Sequence, residues 1–372
     1  MLRISNFDDW VDYFYGWQKD IGLDAPEFSE YKFEAKYGQL PNNEIEFGDY
    51  KGQLRWKSVM HIPDQRIRDA ALNLIVYQGD TEFASVEQQR HLFETAPSRY
   101  DYLSLVRVMT EEMRHGWQMS HLLVSQFGRS GRIEAQKLLE RRAFTDDRLL
   151  GAFNEIVDNW LDFYTYTQFV DRDGKFQLTM LSYSGFQPLA QSMLPMLKEE
   201  SYHLGTGNNG LRRIVQAGRI PIEVMQRYYN KWLPTSFDLF GTDHSSSAQW
   251  AYVWGLKGRY NEREVAATPA EKEHLNDNAR LLYREEAVKL TDLLNKLIPA
   301  DQPKLLVPDI RFNRHIGKYK DCCCTVEGKE LTREEYGKYL PAVLPTEEDK
   351  ALLKSIMKEK DWIAAKKEES LQ

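Results

Sequence analysis

The sequence predicts a mainly α-helical protein: a four-helix bundle core with extra helices over residues 61–298, an irregular N-terminal lead-in packed on it over residues 1–60, and a C-terminal extension over residues 299–372. Three observations predict this. Apolar residues recur at a 3.6-residue period in four separate stripes. Chain breakers join the stripes in pairs, Pro97 between the first two and Gly185 between the last two. Carboxylates stand on all four stripes, and imidazoles accompany them on two, where only a shared task justifies burying them.

Residues 1–60 read as a polar, aromatic-rich stretch with no long helical period. From about Asp64 the first stripe runs through Ile67, Ala71, Leu74, Ile75 and Gln78 to Glu82 and Ser85. Thr95-Ala96-Pro97-Ser98 supplies a break and an N-cap. The second stripe then runs Leu105, Val108, Glu112, His115, Met119, Leu122. A third runs Trp160, Tyr164, Thr167, Asp171, and after Ser184-Gly185 a fourth runs Leu189, Met193, Met196, Glu200, His203, Gly207. Pro195 falls inside this last helix and predicts a kink, either an ordinary one or a local opening beside the site. Beyond about Pro299 the chain turns charged and loop-like, as a surface or partner-facing element would.

Glu112 and Glu200 each begin a Glu-x-x-His unit, Glu112-Met-Arg-His115 and Glu200-Ser-Tyr-His203. Three residues advance a helix by just under one turn, so carboxylate and imidazole point the same way. A single such unit is more often a solvated pair than a metal site. Two of them on apolar stripes, each complemented by a carboxylate from another helix, form the ligand set of ferritin-like di-iron and di-manganese bundles. Spacing selects the complements. In an antiparallel hairpin, residues at equal depth lie equally far from the turn. Glu82 and Glu112 are 112 − 82 = 30 residues apart with Pro97 at their midpoint, and Asp171 and Glu200 are 200 − 171 = 29 apart with their midpoint near Gly185. The expected metal ligands are therefore Glu82, Glu112, His115, Asp171, Glu200 and His203. Oxygen-rich coordination with one imidazole per metal suits iron or manganese better than zinc, and leaves Fe, Mn and mixed Fe/Mn centres open. Glu111 and Glu199 are the expected partners of the ligand histidines, each reaching the histidine of the other hairpin, with Arg114 as counter-charge.

Composition narrows the function classes. A net charge of −7, from 49 basic and 56 acidic residues, argues against nucleic acid as the main partner. No run of eighteen apolar residues exists, so no membrane span is expected, and the acid-bearing first residues do not read as a signal peptide. The three cysteines are consecutive, Cys322 to Cys324, which suits neither a disulfide framework nor an iron–sulfur cluster. A reduced cytoplasmic protein is expected. No dinucleotide-binding fingerprint occurs, so the chain does not read as a nicotinamide- or flavin-dinucleotide-binding protein.

The runs Gln78-Gly-Asp-Thr-Glu82, Ala84-Ser-Val-Glu-Gln-Gln-Arg-His-Leu92, Asp171-Arg-Asp-Gly-Lys-Phe-Gln-Leu178 and Gly255-Leu-Lys-Gly-Arg259 resemble those of the benzoyl-CoA 2,3-epoxidase oxygenase family. More distantly, Lys198-Glu-Glu-Ser-Tyr-His203 resembles the catalytic subunits of phenylacetyl-CoA epoxidases. The resemblance implies an oxygenase subunit with two irons and O2 as co-substrate. It would epoxidise the ring of an aryl-CoA thioester with electrons, ultimately from NADPH, delivered by an iron–sulfur or flavin reductase. A homodimer is compatible with it. Asp171 in place of the commoner glutamate matches the benzoyl-CoA branch. Tyr183, Gln187 and Gln191 depart from the family pattern and leave the acyl group open, so phenylacetyl-CoA or another carrier-linked acyl substrate stays an alternative. So does a non-catalytic ferritin-like subunit.

For the substrate, the aromatic belt near Asp171 (Phe163, Tyr164, Tyr166, Phe169) together with Trp117 is a candidate aryl pocket, although rings at helical spacing are usually core. Gln78 is a further candidate contact. Arg212, Arg213, Lys257, Arg259, Arg311 and Arg314 are the candidate cations for CoA phosphates.

Overall fold

Capping residues open the main helices of the computed structural model, which describes residues 3–243, 246–264 and 274–366. Asn6 accepts from the backbone N–H of Asp9 and starts α1 (Phe7–Asp20); α2 (Pro26–Ser29) is a single turn. Asp64 caps α3 (Gln65–Gln89) and Ser98 caps α4 (Arg99–Gln126). α5 (Gly128–Glu140) follows. Asn159 accepts from two backbone N–H groups at the start of α6 (Trp160–Ser182), and α7 (Gln187–Ala217), α8 (Ile222–Leu239), α9 (Ser246–Val253) and α10 (Leu275–Asn295) come next. The last two, α11 (Arg333–Val343) and α12 (Glu347–Ile356), each begin with a reciprocal capping box. Among the described residues no strand forms, only isolated bridge pairs.

Four of these helices make the bundle. α3 folds back on α4, α6 folds back on α7, and α4 packs on α7 to join the hairpins. The α6–α7 contact is close because glycine permits it. A Cβ on Gly207 would lie 2.6 Å from the Gln168 backbone nitrogen, and one on Gly210 would overlap the Tyr164 ring. Pro195 is carried inside α7 without ending it, and the helix runs on past His203.

The lead-in differs from its sequence reading in one respect. It contains a 14-residue helix, α1, whose Trp10, Phe14 and Trp17 recur at four- and three-residue intervals and are buried against the bundle. The run is short and interrupted by acids, so its period is easily overlooked. Residues beyond α2 lie along the α6–α7 turn, where Trp56 donates to Gly185 O at 2.8 Å and Gln187 donates to Trp56 O at 2.9 Å. The C-terminal extension is not wholly a surface element. Leu353 and Trp362 are buried, and Arg213 Nε donates to Ala364 O at 2.6 Å, which ties this segment back to α7.

Candidate metal centre

The hairpin geometry brings Glu82 of α3, Glu112 and His115 of α4, Asp171 of α6, and Glu200 and His203 of α7 into one buried cluster. Its halves interlock. His115 Nδ1 lies 3.3 Å from Glu82 Oε2, 3.9 Å from Glu112 Oε2 and 3.7 Å from Glu200 Oε1. His203 Nδ1 lies 3.2 Å from Glu112 Oε1 and 3.5 Å from Glu200 Oε2. Glu112 and Glu200 therefore each turn one oxygen toward each histidine. Glu82 stands on the His115 side. Donor atoms of Asp171, Glu112 and His203 lie within 4.8 Å of one another.

Asp171 Oδ2, Glu200 Oε2 and His203 Nδ1 are buried with no hydrogen-bond partner, an arrangement too costly to persist unless a cation fills it. Burial, then the charge of Glu82, pushes the Glu112 carboxyl well up; burial, then Glu200, does the same to Asp171. Burial opposes a charge on His203, but Glu200, Glu111 and Glu112 override it and raise its pKa. The four carboxylates of Glu82, Glu112, Asp171 and Glu200 would neutralise two divalent cations. The donor set is compatible with a two-metal site.

The outer atoms of both imidazoles are held across the bundle. His203 Nε2 lies 3.1 Å from Glu111 Oε2, and His115 Nε2 lies 2.9 Å from Glu199 Oε2. Arg107 Nε donates to Glu111 at 2.9 Å, and Arg114 Nε donates to Glu199 at 2.8 Å. Burial would raise the Glu199 pKa, yet His115 and the Arg114 guanidinium hold it down to about 2. An ionised acceptor on Nε2 fixes the proton there and leaves Nδ1 free to face the cluster.

A cavity of about 560 Å³ opens from this cluster between α3 and α6. Its floor includes Glu82, Glu112, Asp171 and Glu200. One wall follows α3 outward from Glu82 through Gln78, Asn73 and Asp69 to Arg66, sixteen residues or roughly 24 Å of helix. The α6 wall presents Tyr166, Gly174, Gln177 and Leu181, and Trp250, Trp254 and Lys257 close the third side. Among the positions sequence reasoning missed, Gly174 and Gln177 follow Asp171 along α6 at three-residue intervals, and Asn73 lies on α3 nine residues before Glu82. Their mixed polarity hid the pattern.

The substrate candidates divide. Gln78 lines the cavity and donates to Glu82 Oε1, and Lys257 lines it too. Of the aromatic belt, Tyr166 reaches the cavity; Phe163, Tyr164 and Phe169 do not. The expectation for Trp117 and Tyr164 is corrected. Trp117 is sealed among Trp10, Phe14 and Phe33 at centroid distances of 5.2, 5.2 and 5.5 Å. Tyr164 donates to Asp101 at 2.8 Å, and Arg213 is spent on the same carboxylate at 2.6 Å. Arg212 is exposed and donates to Asn209 at 3.3 Å, away from the cavity lining. Arg259 is buried and pairs with Glu262 at 3.2 Å, while Arg311 and Arg314 pair with Asp309 at 2.9 Å and Asp238 at 2.6 Å. None of these five arginines lines the cavity. Cys324 is buried in a small satellite core, and burial pushes its thiol up to about 11, which suits an inert side chain.

The chain is 37% identical over 88% of its length to benzoyl-CoA oxygenase component B of Aromatoleum evansii, covering 79% of that protein. It is 20% identical over 68% of its length to one subunit of the 1,2-phenylacetyl-CoA epoxidase of Escherichia coli (strain K12), covering 74% of it. Among the described residues no helix is long and apolar enough to cross a membrane. Residues 60–271, which include every residue of the buried cluster, match a single family, and the chain belongs to it: Phenylacetic acid catabolic protein.

Proposed function

We propose that this chain is the oxygenase subunit of a di-iron monooxygenase that epoxidises the aromatic ring of an aryl-CoA thioester, benzoyl-CoA foremost. It would use O2 and take electrons from a separate reductase, through which alone NADPH enters. The observation that carries this reading is the continuity between the buried Glu/His cluster and a long cavity whose outer end lies roughly 24 Å away along α3. A small free aromatic would need only the inner part. A ring on a long flexible carrier fills the whole length.

Glu82 and His115 would hold one ion and Asp171 and His203 the other, with Glu112 and Glu200 between them. When bound, the metals supply the reductive activation of O2. The protein's own groups do the rest. Glu111 and Glu199 keep each imidazole proton on Nε2, so that both Nδ1 atoms stay available. Arg107 and Arg114 keep those two carboxylates ionised and in place. The cavity walls exclude bulk water and present the ring edge to the cluster, which is the positional part of the rate enhancement. Tyr166 places a buried phenol beside Asp171, with no hydrogen-bond partner among the described residues.

The test is anaerobic loading with ferrous iron, reduction, and then O2 with a panel of acyl-CoA thioesters, with product masses read for one added oxygen atom. Benzoyl-CoA is expected to gain one. If no aryl-CoA in the panel is oxygenated, the substrate reading falls.

A further inference from the structure

Lys257 stands where a phosphate-binding cation has no use. Its ammonium donates to Gln177 Oε1 at 2.7 Å, and Gln177 Nε2 in turn donates to Asp173 Oδ1 at 3.0 Å. Gln177 follows Asp171 on α6 by six residues, roughly 9 Å along the helix axis, so Lys257 meets the cavity far inside the roughly 24 Å reach to Arg66. A CoA phosphate would have to abandon the outer cavity to arrive there. An ammonium has three N–H donors, and Gln177 accepts one. The other two have no acceptor among the described residues, although Lys257 lines the cavity.

The loop that carries Lys257 is pinned rather than free. The backbone N–H groups of Leu256 and Lys257 both donate to Ala251 O, at 2.8 and 3.0 Å, and Gly258 donates to Met180 O at 3.0 Å. Between this anchor and the cluster lies Gly174, one turn from Asp171 on the same helix. A Cβ placed on Gly174 would find only Glu200 Oε1, 4.0 Å away, so the wall is open space beside the cluster. A flat ring seated over Gly174 would have the cluster at one edge, with its exocyclic carbon toward Gln177 and Lys257.

We infer that Lys257, aimed by Gln177, binds the acyl carbonyl oxygen of the thioester and so sets how far the ring reaches toward the cluster. This rests on the aryl-CoA reading above and adds a specificity residue to it. The ligand class is an aromatic acyl thioester whose carbonyl is attached directly to the ring; an added methylene moves the ring off its seat or the oxygen off the ammonium. The two unpaired donors of the half-buried Lys257 explain the discrimination. A ligand that lacks the oxygen leaves them unpaired, and that is where binding sites discriminate most.

The experiment compares equilibrium binding of benzoyl-CoA with that of the thioether S-benzyl-CoA, which lacks the carbonyl oxygen, to the metal-loaded full chain and to Lys257→Met. Wild type is expected to favour the thioester by at least roughly tenfold, and Lys257→Met to bind both at about the wild-type thioether level. Gln177→Leu, which removes the aim but keeps the charge, is expected to give part of the loss. Equal wild-type affinities for the two ligands overturn the inference while leaving the aryl-CoA reading intact. So does an equal loss for both in Lys257→Met, because it places Lys257 on another part of the carrier. Failure of the folded, metal-loaded wild type to bind any aryl-CoA overturns the substrate reading first and the inference with it.

Discussion

Glu111 on α4 accepts from His203 on α7 at 3.1 Å, and Glu199 on α7 stands in the same relation to His115 on α4 at 2.9 Å. Each hairpin thus orients the imidazole of the other, so the halves of the cluster assemble only when the bundle has formed. Replacing Glu199 by Ala is expected to lower metal affinity by roughly 10- to 100-fold, as removal of such outer partners does elsewhere. It also leaves buried Arg114 without its carboxylate. Metal content after dialysis against a graded chelator checks this; unchanged retention in both Glu199→Ala and Glu111→Ala would remove these residues from the site.

Metal binding should release protons. With no cation present, Glu112, Asp171 and His203 all have raised pKa values, so a cation entering the cluster competes with protons for these atoms. Affinity for ferrous iron is therefore expected to fall as pH drops from neutrality, and loading in weak buffer should acidify the solution. Loading should also raise the melting temperature, because the cation binds the folded chain preferentially. Stripping it should reverse that rise.

Gly174→Val would fill the space beside Glu200 Oε1. The expected result is an intact metal content with turnover of aryl-CoA thioesters lost. Metal analysis and single-turnover product assays on one preparation separate the two effects.

Gly210→Ala tests packing rather than chemistry. Its Cβ would overlap the Tyr164 ring, and Tyr164 is already fixed by Asp101. Overpacking of this kind costs about 1–3 kcal/mol, read as a lower denaturation midpoint at unchanged m-value.

Burial pushes the Lys257 ammonium down to about 8, against the opposing charges of Asp173 and Asp243. Its charge is present below that value and lost above it. Benzoyl-CoA affinity is therefore expected to weaken as pH rises through about 8 in wild type, and in Lys257→Met this step is expected to be lost, leaving only the titration of Asp173, whose carboxyl burial pushes up to about 7. The stability effect has the opposite sign: the unfolded chain holds the Lys257 proton more tightly, so wild type gains stability relative to Lys257→Met between about 8 and the usual lysine range. Paired titrations of binding and melting temperature read both.

The buried Glu/His cluster was legible in the sequence because helix geometry is local. Glu-x-x-His spacing places two donors on one face, and equal distances from Pro97 and Gly185 place Glu82 and Asp171 at the depth of Glu112 and Glu200. The crossing of Glu111 and Glu199 followed from the same reasoning, since each immediately precedes a glutamate of the cluster. The lead-in was less legible: α1 is a short run whose burial depends on a surface supplied by α4 and α5.

Only the tertiary structure decided which of the candidate cations and rings line the cavity. Arg213 and Tyr164 are adjacent to the site in sequence, yet both are committed to Asp101, a carboxylate one helix away. Lys257 lies more than fifty residues beyond His203, yet a loop pinned to Ala251 and Met180 delivers it to Gln177. Periodicity reports which way a side chain points from its own helix. What fills the space it points into is set by elements distant in the chain, and that is where the Glu/His cluster and the cavity beside it part company.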